Sequence, residues 1–371
     1  MKILADAHIP YLEDVAHQFG EVEFLPGNVF TKEAISNKDA LIVRTVTHFG
    51  EEILKGTKVK LICSATIGYD HIDTEYCDAN NVAWRTAPGC NAASVEQYVT
   101  SSILYLADKY KFDIAHKTIG IVGVGNVGTK VANACRKLGM RVLLDDPPRA
   151  INEPHNKSLF VDIDTIKREA DIITFHTPLT KQGDHKTYHL ANDEFFNSLG
   201  KVPFIINSSR GSVVSTEAIK AALSSELIEG AIIDCWENEP NIDNELLNMV
   251  EIATPHIAGY SADGKWTATK MSLENINQFF ELGIDPIKLM EMPKPNNPII
   301  DLKDIPKERQ LAYAVWKTYS PMEESAKLKA NPEKFTWYRA NYPLRREYHA
   351  YTVINANSDV MQILKELGFG S

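Results

Sequence analysis

With 371 residues, the chain is too long for one compact core, and its length predicts two or three domains. Hydrophobic residues make up 44% of it and charged residues 24%, a balance typical of a folded globular protein and unlike that of a disordered one. The formal charge of −10 argues against nucleic acid and anionic membrane as partners, because the overall field repels both.

The cysteines and the N-terminus indicate a cytoplasmic protein. The five cysteines are scattered, and none belongs to a CxxC pair, so neither a disulfide framework nor a zinc site is predicted. The first apolar run, Ile3 to Ala5, is too short for the core of a signal peptide. No later run reaches the roughly 18 apolar residues of a membrane span. We therefore expect no export and no membrane insertion.

Short apolar runs near the N-terminus alternate with amphipathic stretches. They predict strands at Ile3–Ala5, Val22–Leu25, Leu41–Val43, Leu61–Cys63 and Val82–Trp84. Such alternation is typical of an α/β layer with a parallel sheet, here a flavodoxin-like domain. Apolar residues then recur at helical spacing from Asn91 to Lys109, which predicts one long helix.

A second α/β series follows this helix. It predicts buried strands at Ile119–Val122, Arg141–Leu144, Ile172–Thr174, Phe204–Ile206, Ala231–Ile233 and Ile252–Ala253. Helical segments separate most of them, as in a doubly wound parallel-sheet nucleotide-binding domain. A further helix, from Ser261 to about Phe280, is expected to return the chain to the first domain.

The C-terminal region begins with a proline-rich stretch. Between Asp285 and Pro306, a linker without regular structure is predicted from five prolines, Pro286, Pro293, Pro295, Pro298 and Pro306. Beyond it we expect a small α+β domain with one strand, Tyr351–Ile354. The predicted division is a discontinuous first domain of residues 1–98 and 257–285, a nucleotide-binding domain of residues 99–256 and a C-terminal domain of residues 286–371.

A glycine-rich segment follows the strand Ile119–Val122 and opens a helix. Its sequence, GVGNVG, predicts a dinucleotide site whose candidate contacts are Gly123, Gly125, Asn126, Val127 and Gly128. The glycines permit a tight turn, close approach of a pyrophosphate and close packing of helix on strand. The alternative, a glycine-rich turn without a ligand, is less favoured because strand, turn and helix occur in order.

Asp146 follows the next strand, close to the spacing of about 20 residues expected for a carboxylate that binds the adenosine ribose. This carboxylate favours NAD over NADP, because it would repel the additional phosphate. Arg149 nearby could weaken that preference.

Three polar segments follow buried strands of the second series: residues 207–211, 234–240 and 254–259. The carboxyl ends of parallel strands meet at one edge of a sheet, where ligands bind. Oxidation of a 2-hydroxy acid requires a cation for the carboxylate, a base for the hydroxyl proton and a group that orients the base. Arg210, His256 and Glu239 match these needs in turn.

Each of these residues also has a structural interpretation: a surface ion pair for Arg210, a loop position for His256 and a turn for Glu239. Their joint position beside the dinucleotide segment favours catalysis. His176 is expected to line the cofactor cleft. His185 and His189 lack carboxylates at ligand spacing, so no metal is predicted.

The GxGxxG helix and the Arg-Gly, Glu-Pro and Pro-His segments occur here in the order found in the D-isomer-specific 2-hydroxyacid dehydrogenases, which residues 1–285 resemble. The resemblance implies an NAD-dependent oxidoreductase with Arg210, Glu239 and His256 as catalytic residues. It also implies cofactor contacts at Asp146, Thr177, Asp234 and Gly259, and substrate contacts at Thr45, Thr66 and Tyr260. Threonine at position 45 departs from the serine of relatives; it keeps the hydroxyl and adds a methyl group.

The segment Asn341–Tyr348, with sequence NYPLRREY, resembles part of an additional dimerisation domain found in members that act on a phosphorylated 2-hydroxy acid. The likeness to these members implies a homodimer and a role in pyridoxine biosynthesis. It also implies that the first domain binds the substrate. Arg44 or the pair Arg345-Arg346 could bind the phosphate, or these residues could be solvated surface cations. Two alternatives stay open: a family member acting on glycerate or 3-phosphoglycerate, and an NADH-binding scaffold protein.

Overall fold

A computed structural model of the chain describes residues 1–285, 288 and 291–371. The described residues form two compact units. Unit 1 comprises residues 1–91 and 261–293, and unit 2 comprises residues 92–260 and 294–371. Within these described ranges, no helix combines the length and the apolar character that crossing a membrane requires.

Strands and helices alternate along most of the chain. The strands are β1 Lys2–Asp6, β2 Glu21–Leu25, β3 Ala40–Val43, β4 Leu61–Ser64, β5 Ala83–Arg85, β6 Thr118–Val122, β7 Arg141–Asp145, β8 Ile172–Phe175, β9 Phe204–Asn207, β10 Gly230–Ile233, β11 Ile252–Ala253, β12 Ile299–Asp301 and β13 Thr352–Ile354. The α-helices are α1 Glu13–Ala16, α2 Lys32–Ile35, α3 Glu51–Leu54, α4 Thr74–Ala79, α5 Ala92–Tyr110, α6 Asn126–Lys137, α7 Pro147–Asn152, α8 Ile163–Glu169, α9 Asp193–Asn197, α10 Thr216–Ser224, α11 Asn244–Met249, α12 Ala262–Phe279, α13 Lys307–Thr318, α14 Pro321–Ala330, α15 Phe335–Ala340 and α16 Ser358–Leu367. Short 3-10 helices lie at His17–Phe19, Gly27–Val29, Ile114–His116, Pro154–Leu159, Gly211–Val213, Pro332–Lys334 and Tyr348–Ala350.

Unit 1 contains a five-stranded parallel sheet in the order β2-β1-β3-β4-β5. This is the flavodoxin order, and it confirms the predicted flavodoxin-like domain. Strands β3 and β4 are buried along their whole length, because apolar clusters cover both faces of the sheet. Helix α12 contributes the fully buried Leu273 and Ile276 to one of these clusters.

Unit 2 contains a six-stranded parallel sheet in the order β11-β10-β9-β8-β6-β7. Strand β6 pairs with β7 on one side and with β8 on the other, so the chain reverses its direction of winding there. Ligands of open α/β sheets bind at this type of position, outside the carboxyl ends of the strands. The sheet contains every strand predicted for the second series, and the doubly wound fold is confirmed.

Side chains that precede helices of unit 2 cap their first turns. Asp162 accepts a hydrogen bond of 2.8 Å from the amide of Thr165 at the start of α8, and Ser215 accepts one of 3.4 Å from the amide of Ala218 at the start of α10. Such caps satisfy amides that have no partner inside the helix. The caps therefore fix the residues at which α8 and α10 begin.

The C-terminal residues form helices and a two-stranded parallel sheet of β12 and β13. The prediction of an irregular linker is wrong at Ile299–Asp301, because β12 pairs with a strand about 50 residues later, which local composition does not indicate. Pro286 and the predicted domain boundary at residue 286 lie outside the described residues. The division into three domains stays a prediction.

The C-terminal helices share a hydrophobic core with the nucleotide-binding sheet. Val315 of α13 and Leu364 of α16 are fully buried in the same cluster as Tyr98 and Ile103 of α5. On the other face, Leu328 of α14 joins the cluster that contains β8 and β9. The C-terminal segment is therefore packed into unit 2.

Candidate active site

The glycine-rich loop between β6 and α6 leaves space in front of the helix. Gly123 has φ +87°, and a Cβ there would lie 2.8 Å from the backbone of His176. A Cβ on Gly128 would lie 2.0 Å from the carbonyl oxygen of Gly123, so helix and strand pack too closely for any side chain. A Cβ on Gly125 would meet nothing within 4 Å. The loop thus offers an open cradle at a helix N-terminus, which suits a pyrophosphate.

Asp146 and Arg149 lie beside this cradle. Asp146 accepts hydrogen bonds from the amides of Val124 (2.8 Å) and Arg149 (3.0 Å). Arg149 forms a bidentate pair with Glu153, at 2.7 and 2.8 Å, and also donates to the carbonyl oxygen of Val124. The hydrogen bond from Arg149 lowers the pKa of Glu153 to about 2. The guanidinium of Arg149 is therefore held by protein acceptors, which agrees with NAD rather than NADP as cofactor.

Thr177 and His176 present unpaired polar atoms next to Gly123. The Thr177 hydroxyl and the Nδ1 atom of His176 are buried, and neither has a hydrogen-bond partner among the described residues. The methyl group of Thr177 would lie 2.8 Å from a Cβ on Gly123. Burial lowers the pKa of His176 to about 3, so this imidazole is neutral. The cradle and the orphaned groups together fit a bound dinucleotide.

The segments after β9 and β10 are joined by Asn207. Its amide donates to the carbonyl oxygens of Arg210 (3.0 Å) and Cys235 (3.4 Å). The Arg210 guanidinium donates to the carbonyl oxygen of Ser209 at 2.8 Å. Within the described part of the chain, no carboxylate forms an ion pair with Arg210. Its remaining donors are therefore available to an anion.

Glu239 and His256 form the predicted pair. The distance from Glu239 Oε2 to His256 Nδ1 is 2.8 Å, and the two side chains are 19% and 31% exposed. Burial by itself would raise the pKa of Glu239, but the hydrogen bond to His256, the amide of Trp236 and the charge of Arg339 outweigh it and hold this pKa below its usual value. An ionised carboxylate only accepts hydrogen bonds, so Nδ1 carries the proton. Nε2 is left as the basic atom of His256.

Asp234 anchors the loop that carries His256. Its carboxylate is 1% exposed and accepts hydrogen bonds from the Thr254 hydroxyl (2.6 Å) and the amides of Ile257 (2.8 Å) and Ala258 (3.0 Å). The backbone of His256 has φ +55°, a region that non-glycine residues rarely occupy. Its amide donates to the carbonyl oxygen of Asp234 at 2.8 Å. Asp234 therefore fixes the position of His256. The contact of Asp234 with the cofactor stays a prediction.

The predicted substrate contacts lie in both units. In unit 1, Thr45 is exposed just after β3, and Thr66 follows the neighbouring strand β4, so both lie at the same edge of the sheet. The hydroxyl of Thr66 lies 2.7 Å from that of Ser64. In unit 2, Gly259 and Tyr260 are partly buried after the His256 loop. The hydroxyl of Tyr260 accepts a hydrogen bond of 3.0 Å from Arg339 of α15.

Arg345 has a different role from the one considered in the sequence. It is 4% exposed and donates to the side chain of Gln97 (2.8 Å) and to the carbonyl oxygens of Ser94, Ala258 (3.1 Å) and Ile257 (3.4 Å). The hypothesis that Arg345 binds a phosphate is wrong, because this buried cation is saturated by protein acceptors. Ser94 and Gln97 lie among several buried polar residues of α5, and such residues on a buried helix were a signal of a polar partner.

One group near the candidate base has the spacing of metal ligands. Ligand atoms of Cys235, Glu239 and His256 all lie within 4.8 Å of one another. Burial raises the pKa of the Cys235 thiol, which donates to the carbonyl oxygen of Ser209 at 3.4 Å. Since Glu239 and His256 already bond each other, a metal would have to break their pair. The absence of a metal stays a prediction.

Comparison with known proteins places this site in a family. The family described as "D-isomer specific 2-hydroxyacid dehydrogenase, NAD binding domain" matches residues 91–258, and a domain of unknown function, DUF3410, matches residues 292–368. Among solved structures, 3-phosphoglycerate dehydrogenase of Entamoeba histolytica with bound NAD+ is 26% identical with a TM-score of 0.63, over 79% of this chain and 99% of that one. The NAD-bound formate dehydrogenase of Staphylococcus aureus shares the fold at 23% identity with a TM-score of 0.61, over 80% of this chain and 100% of that one.

The chain belongs to the D-isomer-specific 2-hydroxyacid dehydrogenases and is an NAD-dependent oxidoreductase. Curated relatives of the chain, among them the following two, are named erythronate-4-phosphate dehydrogenase. The protein of Bacteroides thetaiotaomicron is 49% identical over 95% of this chain and 99% of its own length. The protein of Porphyromonas gingivalis is 40% identical over the whole of both chains.

Proposed function

We propose that the protein oxidises 4-phospho-D-erythronate to (R)-3-hydroxy-2-oxo-4-phosphooxybutanoate with NAD, in pyridoxal 5'-phosphate biosynthesis. The observation that carries this proposal is the 2.8 Å pair of Glu239 and His256, beside a dinucleotide cradle, in a chain 49% identical to a relative named for this substrate. Oxidation removes a proton from the C2 hydroxyl and a hydride from C2. NAD, when bound, accepts that hydride.

The chain's own residues handle the proton and the charge. Nε2 of His256 takes the hydroxyl proton, and Glu239 stabilises the imidazolium that forms. Arg210, without an ion-pair partner among the described residues, binds the substrate carboxylate. Thr45, Thr66 and Tyr260 are the proposed further contacts to the substrate.

The cofactor is held by the cradle and the strand ends around it. The proposed contacts are Gly123, Gly125, Asn126, Val127, Gly128, Asp146, Thr177, Asp234 and Gly259. The open position of Gly125 and the orphaned hydroxyl of Thr177 support this assignment. No metal is part of the proposed chemistry.

The proposed assembly is a homodimer formed through the C-terminal segment, and the proposed location is the cytoplasm. The exposed apolar side chains of that segment include Trp337, which is 58% exposed, and Leu344, which is 51% exposed. Among the described residues, Cys63, Cys77, Cys135 and Cys235 form no disulfide, which suits a reducing compartment.

The experiment is turnover of NAD by the purified protein with 4-phosphoerythronate, glycerate, 3-phosphoglycerate and lactate, followed by NADH absorbance. We expect the highest kcat/KM for 4-phosphoerythronate. His256→Gln is expected to lower kcat by roughly 10²- to 10⁴-fold while NADH binding persists. A higher kcat/KM for 3-phosphoglycerate or glycerate would establish the alternative substrate. NADH binding without turnover of any acid would establish a scaffold protein.

A further inference from the structure

Arg339 of α15 is a cation with few partners inside the protein. Its Nη2 atom donates to the Tyr260 hydroxyl at 3.0 Å, and its guanidinium carbon lies 5.6 Å from the centre of the Tyr260 ring. Its Nε atom is buried without a hydrogen-bond partner among the described residues, and its Nη1 atom has none there either. The side chain as a whole is only partly buried. Arg339 therefore keeps donors that the folded chain does not use.

The charge of Arg339 acts on the candidate catalytic groups. Burial tends to lower the pKa of Arg339, but the Tyr260 hydroxyl and the carboxylates of Glu239 and Asp234 raise it, so the residue is a permanent cation. Across the described residues, no carboxylate lies within the 4.0 Å of an ion pair with Arg339. The positive charge of Arg339 therefore acts on Glu239 and Asp234 without forming an ion pair with either carboxylate.

A half-buried guanidinium without a counter-ion is energetically unfavourable unless an anion binds to it. The proposed substrate carries two anionic groups, and Arg210 is assigned to only one of them. Arg345 is saturated by protein acceptors, and Arg44 is paired with Asp6 at 2.8 Å. Arg339 is a partly buried cation that lies next to the proposed substrate contact Tyr260.

We propose that Arg339 binds the phosphate group of the substrate, through the guanidinium donors that no protein group occupies. This inference rests on the proposed function. Guanidinium groups suit phosphate because their planar donors match its oxygens. The C-terminal segment then determines the specificity for a phosphorylated hydroxy acid. Arg210 and His256 act at the other end of the substrate, on its carboxylate and its C2 hydroxyl.

The test compares 4-phosphoerythronate with erythronate, which lacks the phosphate. Arg339→Gln is expected to lower kcat/KM for 4-phosphoerythronate by roughly 100-fold. For erythronate the loss should be much smaller, because only the electrostatic effect of Arg339 on Glu239 is removed. Arg339→Lys should recover part of the loss, because it restores the charge without the planar donors. Lys334→Gln, which removes an exposed charge at the start of the same helix, serves as the matched control.

Direct binding supplies a readout that does not depend on turnover. Calorimetric titration of the NADH complex with inorganic phosphate should give a dissociation constant that rises by a similar factor in Arg339→Gln and is unchanged in Lys334→Gln. Unchanged phosphate affinity, or equal losses for both acids, would overturn the inference. So would a Tyr260→Phe variant that reproduces the whole loss, since Arg339 would then act by positioning Tyr260. A wild-type enzyme that does not use 4-phosphoerythronate would instead overturn the proposed function.

Discussion

His256 is fixed by two separate partners. Its backbone is held in a left-handed conformation through Asp234, and its imidazole is held by Glu239 through Nδ1. The chain therefore decides both where the ring lies and which nitrogen is basic. Since each partner comes from the segment after β10, a change there should alter catalysis without touching the histidine.

Glu239→Gln removes the charge that stabilises the imidazolium. We expect kcat to fall roughly 10²- to 10³-fold, measured as NADH formation at saturating substrate. A second carboxylate–histidine pair offers a matched control, because Glu237 lies 2.7 Å from His189 in the same unit. Glu237→Gln should leave kcat nearly unchanged; an equal fall in both variants would mean that the loss is structural.

The Glu239 pair also predicts a dependence of stability on pH. The pKa of Glu239 in the folded protein is below its ordinary value of 4.5, so the pair contributes stability that is complete above that pH and lost as the pH falls through the folded value. The difference in free energy of unfolding between the wild type and Glu239→Gln should therefore shrink as the pH falls below 4.5. Urea unfolding over this range measures it, and a difference that grows on acidification would contradict the assignment.

Glu153 restrains Arg149 beside the nucleotide cradle. Glu153→Ala removes both carboxylate oxygens that hold the guanidinium, and we expect the ratio of kcat/KM for NADP to that for NAD to rise roughly 10-fold. Asp146 still opposes the additional phosphate, so NAD should stay preferred. Glu169→Ala, which breaks a 2.7 Å pair with Arg141 at the opposite end of β7, is the control and should not change the ratio.

The loop from Thr254 to Tyr260 is the element on which the candidate site depends. Asp234 binds its amides, and Arg345 binds its carbonyl oxygens at Ile257 and Ala258. Both buried charges bond the loop backbone rather than each other. These hydrogen bonds hold the loop that carries the imidazole of His256.

Arg345→Met would leave these carbonyl oxygens and the side chain of Gln97 without donors. We expect the free energy of unfolding to fall by about 3 kcal/mol and kcat to fall with it. Thermal and urea unfolding measure the first effect, and NADH formation the second. Arg309→Met, an exposed arginine in α13, is the control. Unchanged stability in Arg345→Met would show that the loop does not depend on the hydrogen bonds from Arg345.

Sequence patterns predicted the elements of both parallel sheets, because buried parallel strands are continuous apolar runs and the glycine loop has a fixed context. They also brought Glu239 and His256 together, since both follow strands of one sheet. They did not reveal β12 or the role of Arg345, because these depend on partners about 50 and 250 residues away. Nothing in the sequence pattern singled out Arg339.

At the scale of the whole molecule, the proposed homodimer can be tested at its exposed apolar residues. The double variant Trp337→Glu and Leu344→Glu places charge on the side chains proposed to lie in the interface, and we expect a monomer by light scattering coupled to size-exclusion chromatography. Val202→Glu, at an exposed position of the nucleotide-binding part of unit 2, is the control and should stay dimeric. A double variant that remains dimeric would place the interface elsewhere.

The hydrophobic core that α5 shares with the C-terminal helices limits where the chain can be divided. A chain cut after residue 293 would keep the glycine loop, Arg210, Glu239 and His256. It would lose Glu347 and Thr318, which bond the buried side chains of Ser94 (2.9 Å) and Gln97 (3.0 Å). The cut would also uncover the apolar face of α5. Anyone who builds chimaeras from this dehydrogenase should therefore exchange residues 92–260 and 294–371 as one cassette.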